Sequence, residues 1–418
     1  MPPTGVRKRR STSSAVAILH ADQSGDDKNE NSSSLLTRML ALVFSFACIA
    51  LVIKNGTRRR DDLHRTTGMT SPAAKTEPST RGPSFVTVVL PSVVKPEARP
   101  LRLKNIEKTW GPEARAVFVV HENIEFPQGA EIDSGSLSRT FPQVLKLPSD
   151  IKVDQGVERL LYSIRTVSET VNPSFIFFTN DHTFVLPNHL CRFLQKRDAS
   201  KDAYVGHALK GKGTPVAFNS GAAGYVLSRQ TYMRLIREMD DPKSECSPSN
   251  ASKWLQGNPG ILTATCFSKV LNVQVEDTRD GEDLSHVYHA YGLVRTVSAK
   301  VDQWYVNNHA PLDGILGVDA KYHHRLQQGE ACCSENTVSF HYVESGESIA
   351  FWKVLQAVLQ KPIMNDKEIQ TLMEGVWPRD REKLGFYAHG LPGPNDTLWP
   401  ALVKVVRKIA SGVATSTC

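Results

Sequence analysis

Along this chain the hydrophobic positions stay scattered until Leu35 and then crowd together. Met39 to Ile53 (MLALVFSFACIALVI) is fifteen positions without a charge, extended backwards by Leu35 and Leu36 across Thr37 and Arg38. Fifteen falls short of the roughly 20 residues that a bilayer span takes, so a buried helix or a signal-peptide core are the alternatives. A polar, Ser- and Asn-rich stretch precedes it that is too long for an ordinary signal peptide. Lys54 and then Arg58, Arg59 and Arg60 follow it, with no small-residue cleavage site. Arg38 can snorkel and lengthen the span. The pattern predicts a single-pass membrane anchor over 39–53, behind a tail of residues 1–38. The near flank after the span is the more basic one, so the local charge count alone favours an outside N-terminus. Residues 54–83, rich in Thr, Ser, Pro, Lys and Arg without apolar periodicity, read as a solvated stem.

From Ser84 the periodicity changes. Phe85 to Leu90 (FVTVVL), bounded by Pro83 and Pro91, and Ala116 to Val120 (AVFVV) are short β-branched runs that predict buried strands. Leu101 to Trp110 between them has helical spacing. Leu160, Leu161, Ile164, Val167 and Val171 predict an amphipathic helix from Val157 that Pro173 closes, and Phe175 to Phe178 (FIFF) is the next strand. Strands separated by helices predict an α/β domain with a mostly parallel sheet, which binds ligands at the carboxyl ends of its strands. Beyond residue 345, Ile349 to Leu359 predicts a docked helix. Leu398 to Ile409 predicts another, with Lys404, Arg407 and Lys408 exposed. The domain is therefore expected over 84–345, with a helical extension over 346–418.

Charge narrows the possible partners. The net charge is +7, and residues 1–60 alone carry ten basic against four acidic side chains. The rest of the chain is nearly neutral, at 40 against 39, so no basic cleft for a nucleic-acid backbone is expected. Apart from Cys48, the cysteines are Cys191, Cys246, Cys266, Cys332, Cys333 and Cys418, an even set compatible with disulfides in a secretory compartment and without metal-knuckle spacing. Sequons stand at Asn250 and Asn395.

Candidate chemistry begins just after Phe178, at Thr179, Asn180, Asp181, His182, Thr183 and Phe184. A carboxylate and an imidazole at a strand mouth can hold Mn²⁺, although Asp181 could equally cap a turn and Asn180 bend the chain. In Phe218 to Ser228 (FNSGAAGYVLS) the small residues Gly221 to Gly224 admit a ligand or a packing crossover. Val273 to Asp283 concentrates Glu276, Asp277, Asp280, Glu282 and Asp283, a pattern usual for a solvated loop. Cys332-Cys333-Ser334 leads into Val338 to Val343 (VSFHYV), where His341 stands alone in an apolar strand. Such a histidine is more often a satisfied core residue than a ligand.

In this order the pieces resemble glycosyltransferase family 31, the fringe-like enzymes, and in particular the core 1 β1,3-galactosyltransferases. Thr109-Trp110 is similar to the family's ThrTrp step, TNDHTFV to its acidic strand end ADDDTYV, and FNSGAAGYVLS to its SGGAGYVLS loop. NVQVEDTRD is similar to NVEAGDSRD, and the block from Cys332 to Val343 to CCSD…VSFHYV. The resemblance covers residues 84–345 and implies a GT-A-type nucleotide-sugar transferase domain behind one transmembrane helix. It further implies a type II protein of the Golgi or endoplasmic reticulum membrane with a lumenal domain. The implied reaction is inverting transfer of galactose from UDP-galactose to N-acetylgalactosamine of an O-glycoprotein, with Mn²⁺ stabilising the leaving diphosphate and a carboxylate as general base. Carried over residue by residue, Asp181, His182 and His341 would hold the metal, with His289 in reserve. Thr109, Trp110, Asn180, Gly221 and Gly224 would meet the nucleotide sugar. The chain departs from the family at Asn180-Asp181-His182, where three acids are usual. It departs again at Asn258-Pro259-Gly260, where an acidic pair precedes the cysteine matching Cys266. Asp277 and Asp280 are then the nearest candidates for the base. The same departures leave open a non-catalytic, chaperone-like relative, and a fringe-type transferase with another UDP-sugar is a third option. A homodimer is left open.

Overall fold

The computed structural model describes residues 84–93, 96–121, 130–131, 141–152, 154–211, 214, 216–256, 258–280, 284–298, 305, 327–343, 345–377 and 398–413. The expected tail, anchor and stem lie outside them, as do Glu282, Asp283, Asn395 and Cys418. Among the described residues no helix is long and apolar enough to cross a membrane.

The strands are β1 (Phe85–Val89), β2 (Ala116–His121), β3 (Ala130–Glu131), β4 (Gln143–Leu147), β5 (Phe175–Thr179), β6 (Phe184–Val185), β7 (Tyr204–Gly206), β8 (Ala208–Leu209), β9 (Phe218–Asn219), β10 (Tyr225–Ser228), β11 (Tyr288–His289) and β12 (Ser339–Phe340). Seven of them form the main sheet in the order β3-β4-β2-β1-β5-β10-β7. Its pairs are parallel except around β10, which runs against both β5 and β7. The expected mostly parallel α/β sheet is present. β1 and β5, the two runs without polar alternation, are buried along their whole length in its centre, as a sheet covered on both faces requires.

Alternation along these central strands sorts their side chains into two cores. Phe85, Val89, Phe118, Val120, Phe175 and Phe177 face one layer, and Val86, Val88, Val117, Val119, Ile176 and Phe178 the other. Helix α1 (Arg99–Lys108) covers the first face through Leu103 and Ile106. Helix α2 (Gly156–Thr170) covers the second with the expected stripe Val157, Leu160, Leu161, Ile164 and Val167. Helix α3 (Pro187–Gln195) joins the first layer, and α4 (Arg229–Asp240) and α6 (Pro259–Lys269) join the second, the short α5 (Lys253–Gln256) leading into α6. After α7 (Leu293–Val297) come α8 (Ser345–Gln360), α9 (Asp366–Val376) and α10 (Trp399–Val413). These last three pack Phe351, Val354, Ile369, Met373, Leu402 and Val406 into the same core as β1 and β5. Residues 77–418 accordingly form one compact unit.

Lys404 is exposed and pairs with Glu330, whereas Arg407, half-buried, pairs with Asp366 at the start of α9. Disulfides join Cys246 to Cys266 on α6 and the neighbours Cys332 and Cys333, and Cys191 is disulfide-bonded too.

Candidate functional site

The chain builds β1, β2 and β4 outward on one side and then crosses back to place β5 on the other side of β1. That reversal is a topological switch point at the carboxyl ends of β1 and β5, the kind of place where open α/β sheets receive ligands. Val89 and Thr179 end the two strands in register. Just past them, the Ser92 amide donates to Asp181 Oδ1 at 2.7 Å. Asn180 sets the turn: its Oδ1 accepts from the His182 amide at 3.0 Å and lies 2.9 Å from Thr183 Oγ1. Asn180 thus bends the chain here, as one of its two sequence readings expects.

Two further motif segments converge here. Thr183 Oγ1 donates to the Ala222 carbonyl at 2.6 Å, and the Val343 amide donates to the His182 carbonyl at 2.8 Å. Ser339 Oγ donates to the Ala223 carbonyl. Segments 179–185, 220–224 and 338–343, up to 164 positions apart in sequence, are thus laced together.

Sequence reasoning did not anticipate the charge around Asp181. Arg99, Arg102 and Arg159 are all buried there. Arg102 Nη1 lies 3.6 Å from Asp181 Oδ2 and 3.3 Å from His182 Nε2. Arg99 and Arg159 each donate, at 2.9 Å, to the carbonyls of Ser92 and Pro91 respectively. Burial pushes the Asp181 carboxyl up from its ordinary value against the pull of the Ser92 amide and Arg102. Burial, joined by Arg99, brings Arg159 down to about 10. The signal was available: Arg99 and Arg102 share a face of α1 with Leu103 and Ile106, and Arg159 sits among the buried positions of α2.

These residues do not fit a divalent ion. Asp181 and His182 are adjacent donors, 3.4 Å apart, but Arg102 stands against both. A dication shared by them would lie within about 4 Å of that guanidinium, a repulsion of about 8 kcal/mol at an effective dielectric near 20. Among the described residues no group of three His, Cys, Asp or Glu is placed to hold a metal ion. His341 stands one residue beyond β12 rather than inside a strand, its ring 6.2 Å from that of His182. Burial, with His182 beside it, holds the His341 imidazole well below its usual value. His289 is a satisfied core residue, 3.2 Å from Thr337 Oγ1 and stacked on Phe340.

The other expected residues go elsewhere. Thr109 and Trp110 follow the end of α1, which starts near Ser92 and runs back towards the amino end of β2. Its ten residues put them about 15 Å from Arg99. There Thr109 Oγ1 donates to the Asn105 carbonyl at 2.7 Å and Trp110 fills the core, so neither adjoins Asp181. Gly224 is a packing residue: its φ is +93° and an added Cβ would meet Phe177 at 2.3 Å. Gly221 is exposed, and an added Cβ would make only an ordinary 3.9 Å contact with the Tyr225 ring. Burial alone would raise the Asp277 carboxyl, but bonds from Arg279 outweigh it and hold the group below its ordinary value. Asp280 accepts from Ser334 Oγ at 2.6 Å and from Asn336, tying its loop to the segment before β12. Both carboxylates are thus engaged by neighbouring side chains.

The fold is an α/β domain with helices on both faces of a mostly parallel sheet and a switch point between β1 and β5. No known family's sequence profile matches the chain. Over 173 residues it is 23% identical to glycoprotein-N-acetylgalactosamine 3-beta-galactosyltransferase 1 of Xenopus laevis, a stretch covering 40% of this chain and 41% of that protein. The chain is therefore a distant relative of a galactosyltransferase, matched over about two fifths of its length.

Proposed function

We propose that the chain is a glycosyltransferase that draws on a nucleotide-sugar donor. The single observation that carries this is the distant similarity to a galactosyltransferase. The convergence of 179–185, 220–224 and 338–343 at the switch point of the sheet supports it. The finer form is β1,3 transfer of galactose from UDP-galactose to N-acetylgalactosamine of a glycoprotein. In that reaction the acceptor oxygen bonds to the anomeric carbon as the bond to the diphosphate breaks. UDP leaves with the electron pair, and the hydroxyl proton passes to a carboxylate general base, for which Asp277 and Asp280 are the candidates. Residence in the Golgi or endoplasmic reticulum membrane, with the domain lumenal, belongs to the same proposal and rests on the sequence of 39–53 and its flanks.

A donor screen of the full-length chain with a GalNAc-peptide acceptor tests this. Transfer from UDP-galactose with a new β1,3 linkage is expected. Consumption of no UDP-sugar, together with failure to bind UDP, overturns it. The engagement of Asp277 by Arg279 and of Asp280 by Ser334 and Asn336 favours a second reading, a non-catalytic relative that binds a glycosyltransferase client. Bound UDP without turnover of any sugar is its expected signature.

A further inference from the structure

The sequon Asn250-Ala251-Ser252 lies in the loop between α4 and α5. Asn250 and Ser252 are both exposed, in a stretch of consecutive turns. The disulfide from Cys246 to Cys266 staples this loop to α6. Beside it runs a groove of about 420 Å³, lined by Asn250, Ser252 and Leu255 together with Leu262, Cys266 and Val270. Its lining is apolar in Leu255, Leu262 and Val270 and polar where Asn250 and Ser252 stand. That mixture suits a sugar ring, which offers C–H faces to apolar side chains and hydroxyls to polar ones. A sugar attached to Asn250 would need no further anchoring to reach it.

The hydrogen bonds of Asn250 say when such a sugar can be attached. A side-chain amide nitrogen carries two N–H donors. In the folded chain Nδ2 donates to the Pro242 carbonyl at 2.8 Å and to the Ser244 carbonyl at 2.9 Å, so both are engaged by the loop that the disulfide closes. The settled loop therefore does not present this nitrogen to an enzyme. A glycosylated amide keeps one N–H, enough for one of the two bonds. Cys266 is made after Asn250, so the growing chain passes through a stage in which the sequon is complete and the disulfide is not.

We propose that Asn250 is N-glycosylated before the Cys246–Cys266 loop closes, and that the first sugars of the glycan lie in the groove beside it. The donor is a lipid-linked oligosaccharide diphosphate. A bond forms from Nδ2 to the anomeric carbon as the bond from that carbon to the diphosphate breaks. The diphosphate leaves with the electron pair, and one amide proton is lost to the transferring enzyme's base. The inference rests on the lumenal placement of the domain proposed above.

Translation of the full-length chain with endoplasmic reticulum microsomes tests this, with occupancy of the Asn250 peptide read by mass spectrometry and the side of the membrane read by added protease. Most parent chains are expected to carry a glycan at Asn250. Ser252→Ala, which keeps Asn250 and its two carbonyl bonds, should lose the glycan entirely. Cys266→Ser, which leaves the loop open, should lower the unoccupied fraction at least twofold. A bare Asn250 in the parent overturns the inference. If the domain is then protected from protease, the lumenal placement stands; if protease digests it, that placement falls too. An unoccupied fraction that is the same in the parent and in Cys266→Ser overturns the proposed order of events. The groove has its own readout: at matching circular dichroism, Ser252→Ala should bind the apolar dye anilinonaphthalene sulfonate at least twofold more than the glycosylated parent. Equal dye binding removes the groove as the seat of the glycan.

Discussion

Gly221 and Gly224 belong to the same small-residue run, yet different physics holds each of them. Gly224 has a left-handed backbone and no room for a methyl group against Phe177, so Gly224→Ala combines strain with overpacking. A loss of about 2–4 kcal/mol is expected in urea unfolding. Gly221→Ala makes only an ordinary contact with Tyr225 and should leave stability within about 0.5 kcal/mol, any loss appearing in donor affinity instead. An equal destabilisation by both would contradict this division. The run was legible as a place of close approach, but sequence alone did not say whether a ligand or Phe177 approaches. Asp181 and His182 were legible because they follow the most compact apolar strand. The arginines were only half legible: their helical spacing puts them on apolar faces, but a basic residue on a helix ordinarily faces water, and their burial depends on β1 and β5 being brought together from 90 residues apart.

At the scale of elements, the strands and helices with strong patterns were legible: β1, β2, β5 and α2 lie within a residue or two of their expected ranges. The missed elements have thin stripes. Helix α4 buries Thr231, Tyr232, Leu235 and Met239 within a stretch rich in charge, and β4 is a five-residue run interrupted by Lys146. Helix α10 shows which of its patterns matters. Its ion pairs, Lys404 with Glu330 and Arg407 with Asp366, join side chains at least 40% exposed, so Lys404→Ala should change stability by less than about 0.5 kcal/mol. Its inner face buries Leu402, Val403, Val405, Val406 and Ile409 in the core of β1 and β5. A chain ending before Leu398 should therefore lose cooperative unfolding altogether, measured by circular dichroism during denaturation. A soluble truncation with a sharp transition near that of the parent would show α10 to be dispensable.

For the molecule as a whole, the net charge of +7 says little about how pH acts on it, because the excess lies within residues 1–60. The buried imidazoles matter more. Burial brings His189 on α3 down to about 4 and holds His289 and His341 well below their ordinary values. In the folded chain these rings are neutral, whereas in the unfolded chain each takes up a proton near pH 6.5. Between pH 6.5 and the folded value the unfolded state binds more protons, so stability rises with pH in that window. The contribution of His189 is fully present above pH 6.5, fades as pH falls, and is gone by about pH 4. Its size is up to about 3 kcal/mol, at roughly 1.4 kcal/mol per pKa unit. Asp181 works the other way: its raised carboxyl makes ionisation unfavourable in the folded state, so it adds nothing to the loss on acidification. Asp277 weakens the fold only further down, as pH drops below the ordinary carboxylate value. Urea unfolding at pH 7 and pH 5 should therefore show a clear loss at the lower pH. His189→Gln, which cannot take up a proton in either state, should reduce that loss. If the variant keeps the parent's full difference between the two pH values, the acid sensitivity does not come from this imidazole.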